Sequence, residues 1–352
     1  MTADPILTLG WLILAHLVAD FILQTSGIVA AKTARNGRAW RGYLGHAAGV
    51  AGCLIPVILA FGSWGAIALA VIVVSHVAID QVKVVATRRT EAAALAEARR
   101  RHEGAAPAAG LGRAWTPLPA AWFILDQVAH VAVIGVVWAV WLAGTALTPA
   151  WSSAIAAVTG GWDQRLFHEV VLTVVVVASL LVANVRGGAI YVATLVRPLE
   201  VGDELGGGGP AGRANARDVA GEDAGPTPTV GRGWSIRFGP LRGRVVADPT
   251  PADLPVPATR PASDGEILGE RVMLPPPARV GATIGVLERL LIVTFVLVGA
   301  DAAIGFVIAA KTIARFRQLD DRDFAEYYLL GTLASVSVAI VTGLLARAAL
   351  SS

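Results

Sequence analysis

The chain has 352 residues, of which 55% are hydrophobic and 16% charged, with a mean hydropathy of +0.62. A soluble domain carries roughly 25% charged residues, so this is the composition of a membrane protein with polar connections. A net charge of +3 without a basic stripe interleaved with aromatics argues against a nucleic-acid partner. The single cysteine, Cys53, lies in an apolar run and excludes an internal disulfide or a thiolate metal cage.

Taken in order, apolar runs fall near residues 6–24, 43–61, 64–84, 120–142 and 167–185. Each is about the 20 residues that a helix needs to cross the hydrocarbon. Met1 to Pro5 has no Lys or Arg and no small-residue cleavage site follows, so the first run reads as a retained span. The first connection holds Lys32, Arg35, Arg38 and Arg41, and the third holds Arg88, Arg89, Arg99, Arg100, Arg101 and Arg113. The second, Phe61 to Gly65, is uncharged, and the fourth mixes Asp163, Arg165 and Glu169. By the positive-inside rule the first and third connections are cytoplasmic and the N-terminus is outside, with Trp151 and Trp162 as interfacial anchors.

Composition changes after Arg186. Residues 197–283 hold 13 of the 19 prolines, the run Gly206 to Gly209 and mixed charge. This reads as a flexible polar insert on the cytoplasmic side. Within it, Trp234 to Phe238 and Gly243 to Val246 alternate enough for a small hairpin. Apolar character resumes at Gly285, is interrupted by Asp301, and reaches Lys311, Arg315 and Arg317. Basic residues at both ends favour a re-entrant hairpin over a single tilted crossing. Tyr327 to Leu345 is the last span. The expectation is an all-α polytopic transmembrane helix bundle of six or seven hydrophobic helices, organised as 1–196, a Pro/Gly-rich insert at 197–283, and 284–352.

The polar residues inside the runs are the informative ones, because ionisable groups are costly there. His16 and Asp20 are four residues apart, as are His76 and Asp80, while Asp126 and His130 reverse the order. On a helix that spacing puts both side chains on one face. Counting from the cytoplasmic ends at 1.5 Å per residue, Asp20 and His16 lie about 7 and 13 Å in, and Asp126 and His130 about 9 and 15 Å. His46 lies roughly one turn into the second span from the same side, and Asp80 and His76 come to a similar depth. Four helices therefore bring four imidazoles and three carboxylates to one layer.

Such a set is a ligand inventory for a divalent metal such as Zn, Mn or Fe, with carboxylates favouring an open hydrolytic site. His16, Asp20, His46, His76, Asp80, Asp126 and His130 are the candidate ligands. Asp126 and Asp80 are the candidate catalytic carboxylates, Asp126 as general base. Gln24, Lys83 and Gln127 are supporting, although for Gln24 and Lys83 snorkelling to the interface is the favoured reading. The competing readings are an interhelical polar core, with Asp20, Asp80 and Asp126 paired to Lys83, Lys32 or Arg41, and an ion relay. His102 and His168 fall outside the layer, and Glu288, Arg289, Asp301 and Lys311 are expected to satisfy one another.

At these residues the sequence resembles the bacterial domain-of-unknown-function family 3307. The resemblance rests on His16–Gln24, Lys32, His46, His76–Lys83 and Phe123–His130, and covers about residues 6–142. The C-terminal block from Gly285 through Arg289, Ile304–Phe316 and Glu326–Tyr328 resembles the tail of longer members. The likeness implies an integral membrane protein and supplies no activity. The His-x₃-Asp pattern is also similar, over a few residues, to membrane-bound metal-dependent hydrolases of bacterial inner membranes. The leading expectation is a multi-pass inner-membrane metal-dependent hydrolase acting on a lipid-like or phosphorylated substrate. The alternatives are an ion- or proton-coupled transporter, and a scaffold binding a protein partner through the insert.

Overall fold

The computed structural model describes residues 3–34, 37–102, 115–160, 162–199, 234–238, 241–245 and 277–351. Asp4 starts the first helix by accepting from the backbone N–H of Ile6 and Leu7, with Pro5 in the first turn, where its missing N–H costs nothing. Helix α1 (Pro5–Val18) continues into a wider π turn, Ala19–Leu23, and the chain then forms a short helix α2 (Ser26–Lys32). Helices α3 (Ala39–Phe61) and α4 (Ser63–His102) are joined at Gly62, whose φ of 60° suits glycine. Helix α5 (Leu118–Val137) ends in a second π turn, Trp138–Leu142, and is followed by α6 (Pro149–Thr159). Helix α7 (Gln164–Val182) passes through a third π turn, Ala183–Gly187, into α8 (Gly188–Val196).

The C-terminal part is a hairpin of α9 (Pro277–Val298) and α10 (Ala302–Ala314), turning at Gly299 with φ of 74°, and then α11 (Arg322–Leu350). Lys311 on the returning arm reaches Glu288 on the outgoing arm at 2.6 Å, so the two helices run antiparallel. Helix α9 starts at Pro277, ahead of the expected Gly285, and α7 with α8 outruns the expected fifth span. Strands β1 (Trp234–Phe238) and β2 (Leu241–Val245) pair antiparallel, Trp234 opposite Val245, as a separate unit. The second strand begins two residues ahead of the expected Gly243. Most of the expected insert lies outside the described residues.

Among the described residues, seven helices are long and apolar enough to cross a membrane. The protein is a polytopic membrane protein with a helical bundle. Its outward faces carry large apolar side chains such as Val74 and Phe306, which lipid solvates. Leu12, Val50, Leu54, Ile72, Ile134 and Val137 pack into one core among α1, α3, α4 and α5. Leu172, Val176, Leu180, Ile292, Val296 and Ala339 form a second core among α7, α9 and α11. Helix α1 packs on α7 as well as on α3 and α5, and so borders both. Close backbone approach fixes the first core: a Cβ on Gly42 would lie 2.5 Å from the Lys32 backbone nitrogen.

Candidate functional site

At the end of the first core nearer Lys32, each helix contributes its polar residues to one point. His16, Asp20, His46, His76, Asp80, Asp126 and His130 are all buried. The rings of His16, His46, His76 and His130 form one contiguous group, with His76 and His130 centroids 4.0 Å apart and His16 and His130 4.9 Å apart. The expected layer is therefore a cluster.

Three ligand atoms converge most closely. His46 Nε2 lies 2.8 Å from His76 Nε2. Asp20 Oδ1 lies 3.2 Å from the first and 3.1 Å from the second. Asp80 Oδ2 is next, 3.5 Å from His46 Nε2. For metal–ligand bonds of about 2.1 Å, neighbouring donors stand about 3.0 Å apart at an octahedral corner and about 3.4 Å apart in a tetrahedron. The triangle has the size of such a face. A single proton between His46 Nε2 and His76 Nε2 serves only one of its three sides.

The hydrogen bonds around the triangle fix tautomers. His130 Nδ1 lies 2.8 Å from the Asp126 backbone carbonyl, which can only accept, so that nitrogen carries the proton and Nε2 keeps a lone pair. Gln127 donates from Nε2 to Asp20 Oδ2 at 3.2 Å and to Asp126 Oδ2 at 3.1 Å. Its Oε1, 3.2 Å from His16 Nε2, therefore accepts from that ring and leaves the lone pair on His16 Nδ1. Among the described residues, His16 Nδ1, His130 Nε2 and Asp126 Oδ1 are buried without a hydrogen-bond partner, and Asp20 Oδ1 faces only the two ring nitrogens of the triangle. All four are acceptors. Orphaned buried acceptors are rare and costly unless a cation serves them. A histidine that gives one N–H to a backbone carbonyl and presents the other nitrogen bare is arranged as metal-ligating histidines are.

The charges are unequal. Lys32 pairs with Asp80 inside the protein and reaches Gln24 Oε1 at 3.4 Å. Burial pushes the Lys32 ammonium below its ordinary pKa, and the Asp80 carboxylate acts the other way. Lys83 donates to Asp126 Oδ2 at 2.7 Å and stands 3.4 Å from Asp80 Oδ1. Lys83 thus pairs inward, and Gln24 is drawn to Lys32. Three carboxylates against two ammonium ions leave one negative charge. Asp20, the carboxylate that neither lysine pairs with, faces the two imidazoles.

Residues 8–159 match a family described as "Protein of unknown function (DUF3307)". This segment belongs to the DUF3307 family. The DUF3307 segment runs from α1 to the end of α6 and contains every residue of the cluster. The tail from Gly285 onward lies beyond the match. No curated protein and no solved structure matches the chain.

Of the remaining polar residues, His168 sits outside the layer as expected, and the C-terminal charged group meets its expectation only in part. His168 pairs with Asp4, away from the cluster, and the side chain of His102 lies outside the described residues. Glu288 and Lys311 satisfy each other, but Arg289 does not join them. Its Nε donates to the Asn184 carbonyl at 2.7 Å and its Nη1 to Ser335 Oγ at 3.1 Å. The sequence pointed less clearly to Lys32, which sits in the basic first connection and reads as an orientation signal. The turn from Gln24 into α2 carries it back to Asp80.

Proposed function

We propose that the DUF3307 cluster binds one divalent cation on Asp20 Oδ1, His46 Nε2 and His76 Nε2, and that the protein is a metal-dependent membrane hydrolase. The observation that carries this reading is the triangle of three ligand atoms beside three further buried acceptors without donors. Charge supports a single ion. It converts an excess of one negative charge into one positive, whereas two ions would leave three. His16, His130 and Asp126 border the triangle, and each keeps an unpartnered acceptor facing the cluster.

A bound Zn, Mn or Fe ion would acidify a coordinated water. Lys83 occupies Asp126 Oδ2 and leaves Oδ1 free to take up a proton, which gives Asp126 the role of general base. Asp80, held between Lys32 and Lys83, serves better as a positioning carboxylate than as the base. Gln127 fixes the His16 tautomer and ties Asp20 to Asp126. The basic residues Lys32, Arg41, Arg88 and Arg89 belong to the first and third connections, at the Asp80 end, which supports a cytoplasmic position for the site and an outside N-terminus in an inner membrane. The substrate class that fits this depth is lipid-like or phosphorylated.

Metal analysis of the protein purified without chelator tests the reading. About one equivalent of Zn, Mn or Fe is expected, and Asp20→Asn or His76→Ala should lose it. A metal-free wild type that also fails to take up added Zn or Mn overturns it. Release of inorganic phosphate or fatty acid from mixed-lipid vesicles then tests hydrolysis.

A second reading, ion-coupled transport, is supported by the break in α1 at the cluster. Asp20 lies in a π turn followed by the short α2, and discontinuous helices frame ion sites in carriers. It predicts pH-dependent ion flux in proteoliposomes that Asp80→Asn abolishes.

A further inference from the structure

We infer that the C-terminal helices, which lie outside the DUF3307 segment, hold Asp20 in register through two abutting π turns, with Arg289 as the positioning residue. In a regular helix the Gly188 N–H would bond to the Asn184 carbonyl four residues back. Here it bonds to Ala183, five back, which withdraws the donor from Asn184. A buried carbonyl without a donor is costly. Arg289 Nε fills it at 2.7 Å, from α9. The Asn184 side chain is fully buried and held by the Leu180 carbonyl and Thr342 Oγ1, each at 3.0 Å, so α11 grips the same turn.

The turn so held meets the one that carries Asp20. A Cβ on Gly187 would lie 3.3 Å from the Phe21 ring, and Phe21 follows Asp20 in sequence. Phe21 in turn faces the Phe123 ring at 6.1 Å, and Lys83 lies over that ring at 5.9 Å. Gly188 is needed as well, since a Cβ there would stand 3.0 Å from Arg289 Nε. The line of contact runs from Arg289 through Asn184 and Gly187 to Phe21, and ends on the carboxylate that no lysine neutralises. It explains why a guanidinium is buried among apolar helices without a carboxylate partner among the described residues. Its donors serve a backbone opened by the π turn.

Two readouts on the full chain test this. Only the affinity readout rests on the proposed metal site. In hydrogen–deuterium exchange, Arg289→Leu and Gly187→Ala should each raise exchange over residues 16–24, with α3 and α4 unchanged. For Zn or Mn titrated into the purified protein, the same variants should bind about tenfold more weakly. Adding Phe21→Leu to Gly187→Ala should restore both signals by making room for the new methyl group. Unchanged exchange at 16–24 in folded Arg289→Leu and Gly187→Ala overturns the inference, whether or not metal binds. A failure of Phe21→Leu to rescue Gly187→Ala also counts against it. A wild type that takes up no metal removes the metal reading and leaves the exchange experiment to decide this one.

Discussion

Lys32 sets its ammonium on Asp80 across 48 residues of sequence, and both side chains are sealed from solvent. Breaking a buried pair from one side strands the other charge, which costs about 3–5 kcal/mol, whereas replacing both members by apolar groups is often neutral. Lys32→Met should therefore lower the thermal unfolding temperature sharply. The double variant Lys32→Met with Asp80→Leu should recover most of the loss. Thermal melts of the detergent-solubilised protein measure this, and a double variant no better than the single would show that the pair is not what stabilises α2.

Gln127 bridges Asp20 and Asp126 and sets the tautomer of His16. Gln127→Leu keeps the volume and removes all three contacts. Metal affinity should fall about 10- to 100-fold, the usual effect of losing an outer-shell partner. Calorimetric titration with Zn or Mn reads it, and nitrogen chemical shifts of His16 should show the loss of the fixed Nε2–H form.

Asp126 and Asp20 should separate binding from chemistry. Asp126→Asn is expected to retain metal and to lose about 10²- to 10⁴-fold in turnover, the usual contribution of a general base. Asp20→Asn is expected to lose the metal itself. Equal metal loss in both variants would make Asp126 a ligand and deny it the role of base.

Backbone proximity gives a prediction free of any functional reading. Gly42→Ala drives a methyl group into the backbone of Lys32 and Ala31, at 2.5 and 2.9 Å, and should cost about 1–3 kcal/mol or more. Gly135→Ala meets nothing within 4 Å and should be neutral or gain about 0.5–1 kcal/mol from helix propensity. Paired thermal melts compare them.

The cluster was legible in the sequence because two independent signals agreed. Apolar run lengths set the depth of His16, Asp20, His76, Asp80, Asp126 and His130 within their runs, and the alternation of basic and uncharged connections made neighbouring runs antiparallel. What could not be read was anything set by hydrogen-bond register. The π turns at Ala19–Leu23 and Ala183–Gly187 leave hydropathy untouched, because they change which carbonyl a given N–H reaches and not which residues are apolar. Helix α2 was hidden for a related reason: seven residues between two spans carry too little periodicity to declare a helix. Arg289 reads in the sequence as one of a charged group, since nothing there shows that its partner is a backbone oxygen 105 residues away.

Helix α4 runs unbroken for 40 residues, about 60 Å, roughly twice what the hydrocarbon requires. Asp80 sits near its midpoint, and no proline or glycine occurs between that residue and His102. The half beyond Asp80 is thus a stiff boom about 33 Å long, rooted among the imidazoles and rich in arginine toward its tip. His76 and Asp80 share that helix with the arginines at its tip, so a tilt of the charged arm would be carried to those two side chains first.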